Sequence, residues 1–191
     1  MELRDFSRFQ KIFQKDGLGV IATDTLYGLA GSAFSKKAVE RIYKLKKRDP
    51  KKPLIILISS LADLALFKIK ADQKTREKLN KHWPGKVSII FPCPFKKFTY
   101  LHRGGKTLAF RLPAKKDLQR LLKKTGPLVA PTANPQGKAP AKTAKQARTY
   151  FGKQVDFYLD QGRLDSPPST LIVIENNKTR VLRQGEVKIT P

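Results

Sequence analysis

The chain has 191 residues, 40% of them hydrophobic, and its 40 Lys and Arg outnumber 15 Asp and Glu to give a formal net charge of +25. That length and apolar content suit one domain, residues 1–191, and the charge favours anionic partners, although a lysine-rich solvated surface gives the same total. A single cysteine, Cys93, excludes a disulfide framework or thiolate metal cluster; Met1–Asp5 is not a signal peptide and no apolar run approaches a membrane span, so a soluble cytoplasmic protein with no membrane partner is expected.

Phe6, Phe9, Ile12 and Phe13 have helical spacing, and Gly17 stops that helix. Leu18–Ala22 reads as a short buried strand. It runs into Thr23-Asp24-Thr25-Leu26-Tyr27-Gly28-Leu29, read as a turn with hydroxyls crowding the strand mouth. Ser35 caps a helix that carries Ala38, Val39, Ile42 and Leu45 inward and ends in Lys44–Arg48. Pro53–Ile58 is a continuous apolar strand. Leu61–Phe67 and Gln73–Trp83 follow as helices, Val87–Phe91 and Leu108–Leu112 as strands. The basic loop Phe95–Lys106 between them is expected to be mobile. Asp117–Lys124 is a helix stopped by Gly126, Pro127–Ala130 a strand entering Pro131-Thr132-Ala133-Asn134, and Thr143–Phe151 a helix. Val155–Leu159, Thr170–Ile174 and Arg180–Leu182 read as late strands. Alternation followed by a run of strands predicts an α/β domain with a mixed sheet.

Several patterns are decoys. Gly105-Lys106-Thr107 resembles the end of a phosphate loop, but Tyr100 occupies the position of the first glycine and a strand follows instead of a helix. Gly17-Leu18-Gly19 precedes its strand, which is wrong for a dinucleotide fingerprint. His82 and His102 are isolated from acidic clusters, and Cys93 between two prolines suits packing.

Four segments remain that look like chemistry. They are the Thr23–Gly28 turn with the cations Lys46, Arg48 and Lys52; Thr107 and Arg111 flanking an apolar strand; Ala130–Asn134 with Gly137 and Pro140; and Ser169-Thr170 with Arg183-Gln184-Gly185. Each supplies hydroxyls, amides or guanidinium groups at a strand end, where open α/β sheets place ligands. Several cations together suit a polyanion, and Arg adds a planar fork of donors.

These motifs, together with Lys52-Pro53-Leu54, Trp83-Pro84-Gly85, Ala109-Phe110-Arg111-Leu112-Pro113 and Leu182-Arg183-Gln184-Gly185, follow in the order of the YrdC-like family, which the chain resembles over roughly residues 16–187. The family comprises the threonylcarbamoyl-AMP synthases of tRNA modification. The resemblance implies a twisted mixed sheet with flanking helices around a positively charged concave face, in the short single-domain form. It also implies a nucleotidyltransferase reaction. L-Threonine and bicarbonate form N-carboxythreonine, which attacks ATP to give threonylcarbamoyl-AMP and pyrophosphate; a separate transferase complex then modifies N6 of adenosine 37 in tRNAs reading ANN codons.

Carried over by position, the resemblance implies that Thr25, Leu57, Arg111, Ala130 and Ser169 surround threonine, with Arg111 on its carboxylate. Leu57 falls where some members have histidine. Arg48, Lys52, Thr107, Thr132, Asn134, Pro140 and Arg183 would surround ATP, and Lys46, Arg48 and Lys52 would carry the catalytic charge neutralisation; Thr132 stands where serine is common. Mg²⁺ would arrive with ATP, since no carboxylate cage is visible. The rival reading is a double-stranded RNA or tRNA-binding module without catalysis, supported by the same net charge; weak, salt-sensitive and sequence-blind RNA binding is expected, whereas salt-resistant, tRNA-specific binding would favour the rival. A carbamoyl-transfer module of the hydrogenase-maturation type is disfavoured by the missing zinc-finger cysteines.

Overall fold

A computed structural model describes residues 3–175 and 178–190. Helix α1 (Leu3–Gln14) buries Phe6, Phe9 and Phe13 on one stripe. Strand β1 (Leu18–Ala22) is buried throughout and turns back into β2 (Tyr27–Ser32), its antiparallel neighbour. The turn reading of Tyr27–Leu29 is thus corrected: these residues open a six-residue strand. Its two glycines lower strand propensity, but a Cβ on Gly31 would lie 2.8 Å from Leu18 Cδ2 and 3.2 Å from Ala38 Cβ, so the helix above packs where a side chain would stand. That helix, α2 (Lys36–Lys46), starts at Ser35, whose hydroxyl accepts the Ala38 N–H at 2.9 Å.

Strand β3 (Ile55–Leu57) is shorter than the apolar run suggests. A 3₁₀ helix spans Leu61–Phe67, and α3 (Gln73–Asn80) begins at the Asp72 cap. α3 stops three residues before Trp83, because Pro84 disfavours helical backbone at the residue preceding it. After β4 (Val87–Pro92), the segment expected to be mobile instead forms a 3₁₀ turn, Lys96–Phe98, and α4 (Thr99–His102). Phe98 and Leu101 are buried, Tyr100 Oη donates to the Ala33 carbonyl, and Arg103 pairs with Glu40 at 2.9 Å. Among its lysines, the apolar residues recur at helical spacing and dock it.

The remaining elements are β5 (Thr107–Arg111), α5 (Lys116–Thr125), β6 (Leu128–Val129), α6 (Ala144–Phe151), β7 (Phe157–Tyr158), β8 (Thr170–Glu175) and β9 (Lys178–Arg183). Among the described residues these strands form one mixed sheet in the order β7-β1-β2-β6-β3-β5-β4-β8-β9. The pairs β1–β7, β3–β5 and β4–β8 are parallel and the others antiparallel. One face packs on α1 and α5 through Phe9, Phe13, Leu118, Leu121, Leu122 and Leu57. The other carries the larger core with α2, α6 and Phe67, Phe98 and Phe110. Ile55, Leu57 and Ala130 belong to the α1–α5 face, and the site opens there. Among the described residues no helix is long and apolar enough to cross a membrane.

Candidate active site

Residues Thr23–Leu26 form the bend between β1 and β2. The Thr23 hydroxyl accepts the N–H groups of Thr25 and Leu26 at 3.2 Å each and donates to the Leu26 carbonyl at 2.7 Å. This closed turn fixes Thr25 over a cavity of about 110 Å³. The wall comprises Thr23, Thr25, Leu26, Tyr27 and Gly28 from this bend; Arg48, Pro53, Leu54, Ile55 and Leu57; Arg111; Ala130, Pro131 and Thr132; and Pro168, Ser169 and Arg183. All five residues assigned to threonine by position, Thr25, Leu57, Arg111, Ala130 and Ser169, meet at this wall. Leu57 and Arg111 are register partners on β3 and β5, which aims them at the same face.

Arg111 is held inside the chain. Its Nη2 donates to Asp24 Oδ1 at 2.7 Å and its Nη1 to Thr25 Oγ1 at 3.1 Å, while its Nε, also buried, has no hydrogen-bond partner among the described residues. Asp24 also accepts the Ala114 N–H at 3.2 Å. The acid inside the first motif is therefore the counter-ion of the guanidinium, beyond any capping role. Burial lowers the Arg111 pKa, Asp24 opposes this, and Arg183 lowers it further.

Two more guanidinium groups converge on the cavity. Arg48 donates from Nε to the Lys52 carbonyl and from Nη2 to the Pro53 carbonyl, both at 3.1 Å. Arg183 donates from Nη2 to the Ser169 carbonyl at 2.7 Å. Burial lowers the pKa of both, and Arg48 lowers that of Arg183 as well. Three cations at one wall against the single carboxylate of Asp24 leave a positive excess that an anion would neutralise. Beneath Ser169 lies Ser88, fully buried on β4, with its hydroxyl 2.8 Å from that of Ser169. Tyr27 Oη donates to the Gly162 carbonyl at 2.6 Å and accepts the Gln161 N–H at 3.0 Å, tying down the segment that leads to Ser169.

The other predicted residues fall outside the wall. Lys46 is buried, and its Nζ donates to the carbonyls of Thr132 and Asn134, the latter at 2.5 Å, with Asn134 Oδ1 at 3.4 Å. Its donors are committed to a backbone loop, so it is no free phosphate cation. Burial, and then Arg48, push its pKa down to about 7. The Asn134 amide donates to the carbonyls of Pro135 and Lys138, so that side chain also serves its own loop. Lys52 is exposed beside Arg48 and Pro53, and Pro140 does not reach the wall. Thr107 opens β5 and Arg111 closes it, an extended distance of about 13 Å, and Thr107 does not line the cavity.

Asp24, Ser88 and the structural part of Lys46 were not assigned from the sequence. The signal for Lys46 was present: Val39, Ile42 and Lys46 share a helical stripe whose first two members are core residues. A lone hydroxyl inside the apolar run Val87–Phe91 marked Ser88 in the same way. Nothing local linked Asp24 to a residue 87 positions away.

The profile of the Sua5, YciO and YrdC proteins, described as "Telomere recombination", matches residues 11–185. The chain belongs to the Sua5/YciO/YrdC family. Threonylcarbamoyl-AMP synthase of Idiomarina loihiensis is 30% identical over 162 residues, covering 83% of this chain and 87% of that protein. The enzyme of the same name from Thiobacillus denitrificans is 33% identical over 165 residues, covering 84% and 87%. The crystal structure of P. abyssi Sua5 complexed with L-threonine superposes with a TM-score of 0.89 at 26% identity. It covers 97% of this chain, which in turn spans 55% of that longer protein.

Among the described residues no three His, Cys, Asp or Glu side chains gather to hold a metal ion, and Asp24 is tied to Arg111.

Proposed function

We propose that the chain, acting as one YrdC-like domain, is a threonylcarbamoyl-AMP synthase. The observation that carries this reading is the meeting of Thr25, Arg111, Ala130 and Ser169 with the guanidinium groups of Arg48 and Arg183 around one cavity. ATP would enter with its phosphates beside Arg48 and Arg183 and the rest extending past Thr132 and toward exposed Lys52. Threonine would seat its carboxylate on the donors that Arg111 keeps beyond Asp24.

The chemistry asks for positioning above acid–base catalysis. The threonine amine adds to bicarbonate carbon with loss of water, giving the carbamate. A carbamate oxygen attacks the α-phosphorus, the bond from that phosphorus to the bridging oxygen breaks, and pyrophosphate leaves. Holding the two anions in line and offsetting their charge supplies most of the rate effect. Arg48 and Arg183, fixed through backbone carbonyls, are preorganised for that. The test is pyrophosphate release that requires ATP, threonine and bicarbonate together. Release independent of threonine would refute the reading. Delivery of the product to a transferase complex on tRNA belongs to the same proposal.

A further inference from the structure

We infer that Ser88, a residue outside the cavity, is a positioning residue that turns the Ser169 hydroxyl into an obligate donor toward the ligand. The argument is one of hydrogen counting. Ser88 is fully buried in the middle of the sheet, and among the described residues its hydroxyl has one side-chain partner, Ser169 Oγ at 2.8 Å. A buried O–H that finds no acceptor is costly, so Ser88 donates to Ser169. Arg183 Nη2 stands 3.4 Å from the same oxygen and can only donate. Both lone pairs of Ser169 Oγ are then addressed from inside the protein, and its single proton is left to point into the cavity that Ser169 lines.

The consequence is a polarity for that wall. Ser169 offers a proton, so the ligand group against it must be an acceptor: a carboxylate or hydroxyl oxygen, never an ammonium. The chain thus selects how the amino acid lies, through a residue that never touches it.

The inference rests on the threonine reading above, and the experiment separates the two. Threonine binding is measured by calorimetry for the wild type, Ser88→Ala, Ser169→Ala and the double variant, with thermal unfolding of each. Ser88→Ala is expected to stay folded and to bind threonine about fivefold more weakly, the usual worth of one buried hydrogen bond. In the Ser169→Ala background the same substitution is expected to change affinity less than about twofold, because the group it acts through is gone. Equal loss in both backgrounds, or no loss in the wild-type background, overturns the relay while leaving threonine binding intact. A wild-type protein that takes up no threonine overturns the threonine reading and the relay with it.

Discussion

Replacing Lys46 by methionine decides between two parts for a residue at the heart of the basic motif. A phosphate cation would lower catalysis and leave the fold alone. The geometry points the other way: the ammonium is buried and spends its donors on the Thr132 and Asn134 carbonyls and on Asn134 Oδ1. Each buried acceptor left unpaired costs about 1–3 kcal/mol, a gross loss of about 3–9 kcal/mol. Removing a poorly solvated ammonium returns part of this, since a pKa pushed down from 10.5 to about 7 corresponds to about 5 kcal/mol at most. A net loss of about 3 kcal/mol is expected, or a Tm lower by about 6–12 °C for a chain of this size. The effect should depend on pH. The folded-state pKa lies below the unfolded one, so between pH 7 and 10.5 the unfolded chain holds more protons and the contribution of Lys46 rises with pH. Urea unfolding at pH 7 and pH 9 should therefore show the gap between wild type and Lys46→Met widening. An unchanged Tm with a large loss of ATP affinity would refute the clamp and return Lys46 to the phosphates.

Arg48→Ala is expected to reduce pyrophosphate release at least about tenfold, as a charge-assisted contact contributes about 1.5–3 kcal/mol; Lys52→Ala, exposed at the rim, should cost about fivefold in ATP affinity, and equal effects would mean the nucleotide lies further out than proposed. Arg111→Lys keeps a cation beside Asp24 but loses the planar fork, so steady-state kinetics should show the KM for threonine raised about tenfold with that for ATP little changed; a shift confined to ATP would reassign the residue. Binding to unrelated RNAs, measured by filter retention, should weaken at least about tenfold from low to physiological salt, and a salt-resistant preference for tRNA would contradict a purely phosphate-driven attraction.

The sequence carried the helices well, because Phe6, Phe9 and Phe13, or Leu118, Leu121 and Leu122, recur at the spacing that buries one stripe. It also placed Thr25, Leu57, Arg111, Ala130 and Ser169 together, though only through the ordered motifs that mark the family, and the cavity wall holds these five but not Lys46, Lys52, Thr107, Asn134 or Pro140; periodicity alone would not bring Thr25, Arg111 and Ser169 together. What it hid was tertiary. β2 is a strand because its glycines let α2 lie close, and intrinsic preference says the opposite. The Phe95–Lys106 segment is docked by aromatic contacts that its lysines obscure. Thr107 and Arg111 flank one strand, and flanking means opposite ends. Lys46 looked like Arg48 by charge; both donate to backbone carbonyls, but Arg48 also lines the cavity and Lys46 does not.

The wall of the cavity is finished by the edge of the sheet. Arg183 is the last residue of β9, a strand paired to β8 alone, and its clasp on the Ser169 carbonyl brings that rim inward. The first motif and the last therefore meet across nearly the whole length of the polypeptide. During synthesis, every element before β9 among the described residues can be in place while the anion pocket still lacks one side. If the nucleotide lies there as proposed, its affinity would report on whether the hairpin has closed. Occupancy should hold it closed, slowing amide exchange along β9 far more than along the central strands.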